Sequence, residues 1–209
     1  MKNLAEPTEE KLDAIIEAAQ KRFGIYGAEK TSMREIANDL HLSKASLYYY
    51  FPDKENLYKA VIEKEQAEFL GTLQNDIDSM NDPAICLKRY AINRLSYFRK
   101  LVNLGRISPG SYADLKPLIL ETFLQFRSRE LKMVTGIIEK GRKSGVFTAK
   151  DSSEAAVLFL DILRGLRSIA LSDRKLMGIS DKEFEELAGH ISSAAEIFIK
   201  GLMYRKQNK

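Results

Sequence analysis

The sequence predicts an all-α fold of about nine helices, and three observations carry that prediction. Apolar residues recur at spacings of three and four through most of the 209-residue chain. Helix start and stop residues punctuate them, with Ser, Thr or Asp ahead of a run and glycine or proline behind it. No alternating apolar–polar stretch flanked by a hairpin turn occurs. Composition agrees with a globular protein, since 44% of residues are apolar and 30% charged, and a net charge of +4 is too small to enforce disorder. A single cysteine excludes an intramolecular disulfide framework. The longest apolar run, Ala155 to Leu160, is too short to cross a bilayer, and residues 1–7 lack the apolar stretch of a signal peptide. A cytoplasmic location without membrane contact is therefore expected.

The elements follow in order. Leu12, Ile15, Ile16, Ala19 and Phe23 share one helical face, with Thr8 as N-cap, Glu9 and Glu10 at the positive end, and Gly24 and Gly27 as the stop. Ser32-Met33-Arg34-Glu35 is a capping box that opens a short helix whose inner face is Met33, Ile36, Ala37 and Leu40. A third helix runs from Ser43 to about Tyr50. Pro52-Asp53 breaks it and caps a long fourth helix from Lys54. Asn81-Asp82-Pro83 opens a helix to about Leu104, Ser108-Pro109-Gly110 marks a loop, and the next helix covers roughly Leu115 to Ser144. Asp151-Ser152-Ser153-Glu154 starts another, ending near Leu171. A second capping box, Ser180 to Glu183, starts the last.

The informative segment is 32–51. Two short helices separated by Asp39-Leu40-His41-Leu42 form a helix-turn-helix, a motif that places its second helix in the DNA major groove. Leu42, Leu47 and Phe51 face inward, which leaves Lys44, Ala45, Ser46, Tyr48 and Tyr49 outside. The unpaired amides at that helix start attract phosphate. Short side chains allow close approach, Lys44 can donate to a guanine edge, and the Ala45 methyl can meet a thymine methyl. Tyrosine hydroxyls and the Lys54 ammonium would hold phosphates and set the register. Bulk charge does not locate this surface: residues 1–60 hold 9 basic and 10 acidic side chains.

Thr31-Ser32-Met33-Arg34-Glu35-Ile36-Ala37 and the stretch from Leu42-Ser43-Lys44-Ala45-Ser46-Leu47-Tyr48-Tyr49-Tyr50-Phe51 through Pro52-Asp53-Lys54-Glu55-Asn56-Leu57 resemble the DNA-binding domain of TetR-family (TetR/AcrR-like) bacterial transcriptional regulators. Phe23 and Gly27 match the family's first-helix ending. The resemblance implies a DNA-binding domain over 8–68 and a helical effector-binding and dimerisation domain over 69–209. It also implies a homodimeric repressor that leaves a palindromic double-stranded DNA operator when a small-molecule effector binds. Arg34, Lys44, Ala45, Ser46, Tyr48 and Tyr49 would face bases or phosphates, with Ser32, Tyr50 and Lys54 on the DNA backbone. The family usually has glycine in the turn where this chain has His41, a residue that enters left-handed backbone more readily than most. The alternative is an all-helical ligand-binding protein or enzyme of the same fold without DNA binding.

In the remaining two-thirds, Tyr90, Arg94 and Tyr97 run beside a core stripe of Leu87, Ala91, Leu95 and Phe98, an arrangement suited to a pocket wall. The expected effector-site residues are these three with Phe98, Phe123, Phe126, Met133, Phe159 and Arg164. An arginine there would favour an anionic or carbonyl-bearing effector. The last two helices are the expected dimer interface, through Leu187, Ile191, Ala194 or Ala195, Phe198 and Leu202 with the small residues Ala155, Ala156, Gly165 and Ser168. Gly105–Ser111 is the segment expected to rearrange when effector binding tilts the fourth helix. His41 and His190 are the only histidines and have no spaced partners, so no metal is expected. Cys86 reads as a buried, inert thiol. No Gly-rich phosphate loop follows a strand and no nucleophile constellation appears, so neither catalytic residues nor a cofactor are expected.

Overall fold

A computed structural model of the chain describes residues 8–104, 109–172 and 180–203. Among the described residues there are eight helices and no strand: α1 (Glu9–Tyr26), α2 (Met33–Asp39), α3 (Lys44–Tyr50), α4 (Lys54–Asp78), α5 (Pro83–Leu104), α6 (Pro109–Lys143), α7 (Ser152–Ser172) and α8 (Asp181–Met203). None is long and apolar enough to cross a membrane. Most boundaries are set by the residues that predict them. The Ser32–Glu35 and Ser180–Glu183 capping boxes both form. Gly27 takes φ 83° at the end of α1, which glycine adopts without steric penalty. The start of α6 differs. It begins at Pro109 rather than near Leu115, because a proline at the first helical position lacks only an amide that would have no partner there anyway.

Two compact units are present. Among the described residues, the first holds 8–68 with 99–104 and 109–124; the second holds 69–98, 125–172 and 180–203. The body expected over 69–209 thus gives up 99–104 and 109–124. In the first unit, Ile15, Ala19, Phe23, Ile36, Leu47, Leu57 and Val61 join α1 to α4 in one apolar core. Phe23 meets Tyr58 edge to face at 5.6 Å. Thr31 Oγ1 donates to the Gly27 carbonyl at 3.0 Å, and the Arg22 guanidinium pairs with Asp39, which ties α1 to α2.

In the second unit, Leu73, Leu87, Tyr90, Val134, Ile138, Phe147, Phe159, Leu163, Leu187 and Ile191 form the core. Gly141 is required there: a Cβ on it would stand 2.1 Å from the Phe147 ring. The face of α8 expected to dimerise is instead the core face. Leu187, Ile191 and Ala195 are buried within the unit, and Phe198 and Leu202 pack on the same cluster. A stripe at spacings of three and four buries against whichever neighbour is nearest, and here α7 supplies one. Of Gly105–Ser111, expected to rearrange, residues 105–108 lie outside the described residues and 109–111 open α6.

Candidate nucleic-acid interface

The reading surface is built on a helix of seven residues. Ser43 caps it, accepting the Ser46 amide proton at 3.0 Å, and Leu47 on the inner side is fully buried. One Leu and one cap therefore fix the orientation of everything on the outer side. Lys44, Ala45, Tyr48 and Tyr49 are exposed. The Lys44 ammonium rests 5.4 Å from the Tyr48 ring centroid, one turn along, and Tyr49 stands edge to face with the half-buried Tyr50 at 5.6 Å. The Ser46 hydroxyl shares a 2.8 Å hydrogen bond with the Ser43 hydroxyl, so in the free chain it helps hold the cap.

The turn before α3 rests on His41 at φ 53°, the one positive value at a non-glycine position among the described residues. It is accommodated because the His41 and Leu42 amides donate back to Asn38 and Ala37 at 3.1 and 2.9 Å. Arg34 is exposed on α2. Ser32 is committed to its capping box with Glu35, and those hydrogen bonds hold the Glu35 carboxyl below its usual range. The Lys54 ammonium donates to the carbonyls of Ala28, Glu29 and Thr31 at 3.0, 3.4 and 3.2 Å. An ammonium has three donors, and in the free chain they tie Lys54 to the α1–α2 loop.

The residues expected to form an effector pocket divide. Tyr90, Phe126 and Phe159 are core side chains, and Met133 packs against that core. Phe123 falls in the first unit and is exposed. Arg94 is buried rather than lining open space. Its Nε and Nη2 donate to Glu130 at 2.5 and 3.0 Å, and the Tyr90 hydroxyl donates to the same carboxylate at 2.6 Å. Burial alone would lower the Arg94 pKa; the Glu130 charge more than offsets it and holds the guanidinium above its usual value. Glu130 itself escaped sequence analysis, because its partner lies 36 residues away on another helix. Tyr97 stacks on Phe69 at 4.4 Å, Arg164 pairs with Asp161 at 3.4 Å, and Arg167 lies over Phe98 at 4.4 Å. Cys86 is buried, and burial raises its thiol pKa. No group of three or more His, Cys, Asp or Glu among the described residues is placed to hold a metal ion.

An exposed, capped two-turn helix on a three-helix core defines a helix-turn-helix DNA-binding module. Comparison with known proteins agrees. Residues 15–61 match the pattern of bacterial regulatory proteins of the tetR family. The crystal structure of a transcriptional regulator from Cytophaga hutchinsonii is 37% identical, with TM-score 0.87 over 94% of this chain and all of that one. A TetR-family regulator from Mesorhizobium loti shares the fold at 23% identity and TM-score 0.74, over 93% of this chain and 98% of its own. RutR of Escherichia coli K12 is 32% identical over 111 residues, 53% of this chain. That match spans about half the length of RutR, 52%. The chain belongs to the TetR family of bacterial transcriptional regulators.

Proposed function

We propose that two copies of this chain form a repressor that reads a near-palindromic DNA operator and releases it when a small-molecule effector binds. The observation that carries the DNA-reading part is the division of α3: Leu47 fully buried, Lys44, Ala45, Tyr48 and Tyr49 presented to solvent. In each protomer α3 enters a major groove, with the two half-sites about 34–36 Å apart. Lys44 and Ala45 contact base edges. Tyr48, Tyr49, Tyr50 and Arg34 hold phosphates or bases, and Ser46 and Ser32 approach the backbone from their caps.

Dimerisation uses the outer faces of α7 and α8. Val157, Leu158, Ile169 and Ile197 are exposed on these two helices, Ile169 and Ile197 at 72% each, and their burial against a second copy would remove that apolar surface from water. α4 begins four residues after α3 ends and runs 25 residues, so its tilt would change the half-site spacing. The effector supplies only its difference in affinity for the two spacings, about 1–3 kcal/mol.

The test is a gel-shift with duplex enriched from a random pool. Wild type binds the enriched duplex, and Lys44→Ala loses about tenfold or more on it while its binding to random duplex changes little. Equal loss on both duplexes, or no binding by wild type, refutes the assignment. Sedimentation equilibrium of Ile197→Glu should show a monomer where wild type is a dimer.

A further inference from the structure

Along the inner face of α7, Ala156, Leu160 and Leu163 are buried, at spacings of four and three. The next position on that stripe is Arg167. It is half-buried, and its guanidinium lies over the Phe98 ring with Cζ 4.4 Å from the centroid. The arginines around it have carboxylates. Arg94 is paired with Glu130 through two hydrogen bonds, and Arg164 and Arg127 share Asp161 at 3.4 and 3.5 Å. Among the described residues, no carboxylate pairs with Arg167. Burial and then the nearby Arg94 charge lower its pKa to about 10; Glu130 acts in the other direction and Arg164 adds to the lowering, so Arg167 stays charged at neutral pH.

A cation on a core stripe, drawn partly out of water beside Arg94 and Arg164, with the nearby Glu130 carboxylate already committed to Arg94, favours an anion that can join it. The stacked ring adds a flat apolar face beside the charge. Tyr97, the neighbour of Phe98 in sequence, continues the aromatic character with Phe69 at 4.4 Å and Phe126 at 5.6 Å.

We propose that Arg167 and Phe98 form the head of the effector site and that the effector is an organic monocarboxylate with an apolar body. This rests on the effector-released reading above and names the effector's chemical class. The guanidinium fork takes the carboxylate through two parallel hydrogen bonds, and the apolar body lies against Phe98. A single unpaired guanidinium matches one negative charge. A phosphate dianion would need a second donor group.

Calorimetry on the full chain without DNA tests this, with decanoate and 4-phenylbutyrate as probes, decanol as the uncharged counterpart and inorganic phosphate as the anion without an apolar body. Wild type should bind at least one carboxylate saturably, one per chain, and phosphate weakly or not at all. Arg167→Met should weaken that carboxylate at least tenfold and leave decanol unchanged. Arg167→Lys, which keeps the charge without the fork, should fall between them. No carboxylate binding by wild type, equal binding by wild type and Arg167→Met, or phosphate binding as tight as the carboxylates overturns the proposal. A gel-shift keeps the two readings apart: Arg167-dependent carboxylate binding that leaves DNA affinity unchanged upholds the site and refutes effector release.

Discussion

Replacing Glu130 with leucine should destabilise the second unit far more than replacing Glu130 and Arg94 together. The carboxylate is 2% exposed at its side chain and accepts from Arg94 Nε, Arg94 Nη2 and the Tyr90 hydroxyl. Its loss strands a guanidinium that is 10% exposed, together with a buried hydroxyl. Breaking a buried pair from one side costs about 3–5 kcal/mol, whereas exchanging both partners for apolar groups of similar volume is often close to neutral. At 2–4 °C per kcal/mol for a chain of this size, a 3 kcal/mol loss lowers Tm by roughly 6–12 °C. Glu130→Leu and Arg94→Met should each show such a loss, and the double variant should recover most of it, a large favourable coupling. The assay is thermal and urea unfolding followed by circular dichroism. Protomer concentration is held fixed, because dimer formation contributes to apparent stability. Single losses below about 1 kcal/mol that simply add would refute a desolvated ion pair at this site.

Two further outcomes concern the DNA-binding module. Lys54→Met should cost about 1.5–3 kcal/mol of stability, because a charged donor leaves three carbonyls on the α1–α2 loop, and faster amide exchange of that loop would report it. Unchanged stability with uniformly weaker DNA binding would instead place Lys54 on the phosphates. At the turn, His41→Ile should cost about 1–2 kcal/mol and His41→Gly little, since φ 53° penalises a β-branched side chain and not glycine; equal melting of the two variants would contradict that.

What could be read from the sequence was local. Ser32 and Glu35, or Ser180 and Glu183, satisfy each other across three residues, so the letters alone suffice. The inward Leu47 and outward Lys44 and Tyr48 follow from helical periodicity within two turns. What could not be read was the identity of the neighbour. Arg94 looks the same in sequence whether it faces a pocket, solvent or Glu130. The Leu187–Ile191–Ala195 stripe specifies that something apolar covers it and leaves open whether the cover is α7 of the same chain or a second copy. Lys54 fits a phosphate clamp, and its letter does not show the three carbonyls from 23 to 26 residues away that the chain brings within its reach.

A helix of seven residues is too short to persist in water by itself, so α3 holds its shape only because Leu47 is seated in the core and Ser43 closes its first turn. Its solvent-facing letters are thereby released from any duty to the fold. Positions 44, 45, 48 and 49 can be rewritten without unseating the scaffold, and operator preference can drift or be re-engineered independently of everything beneath it.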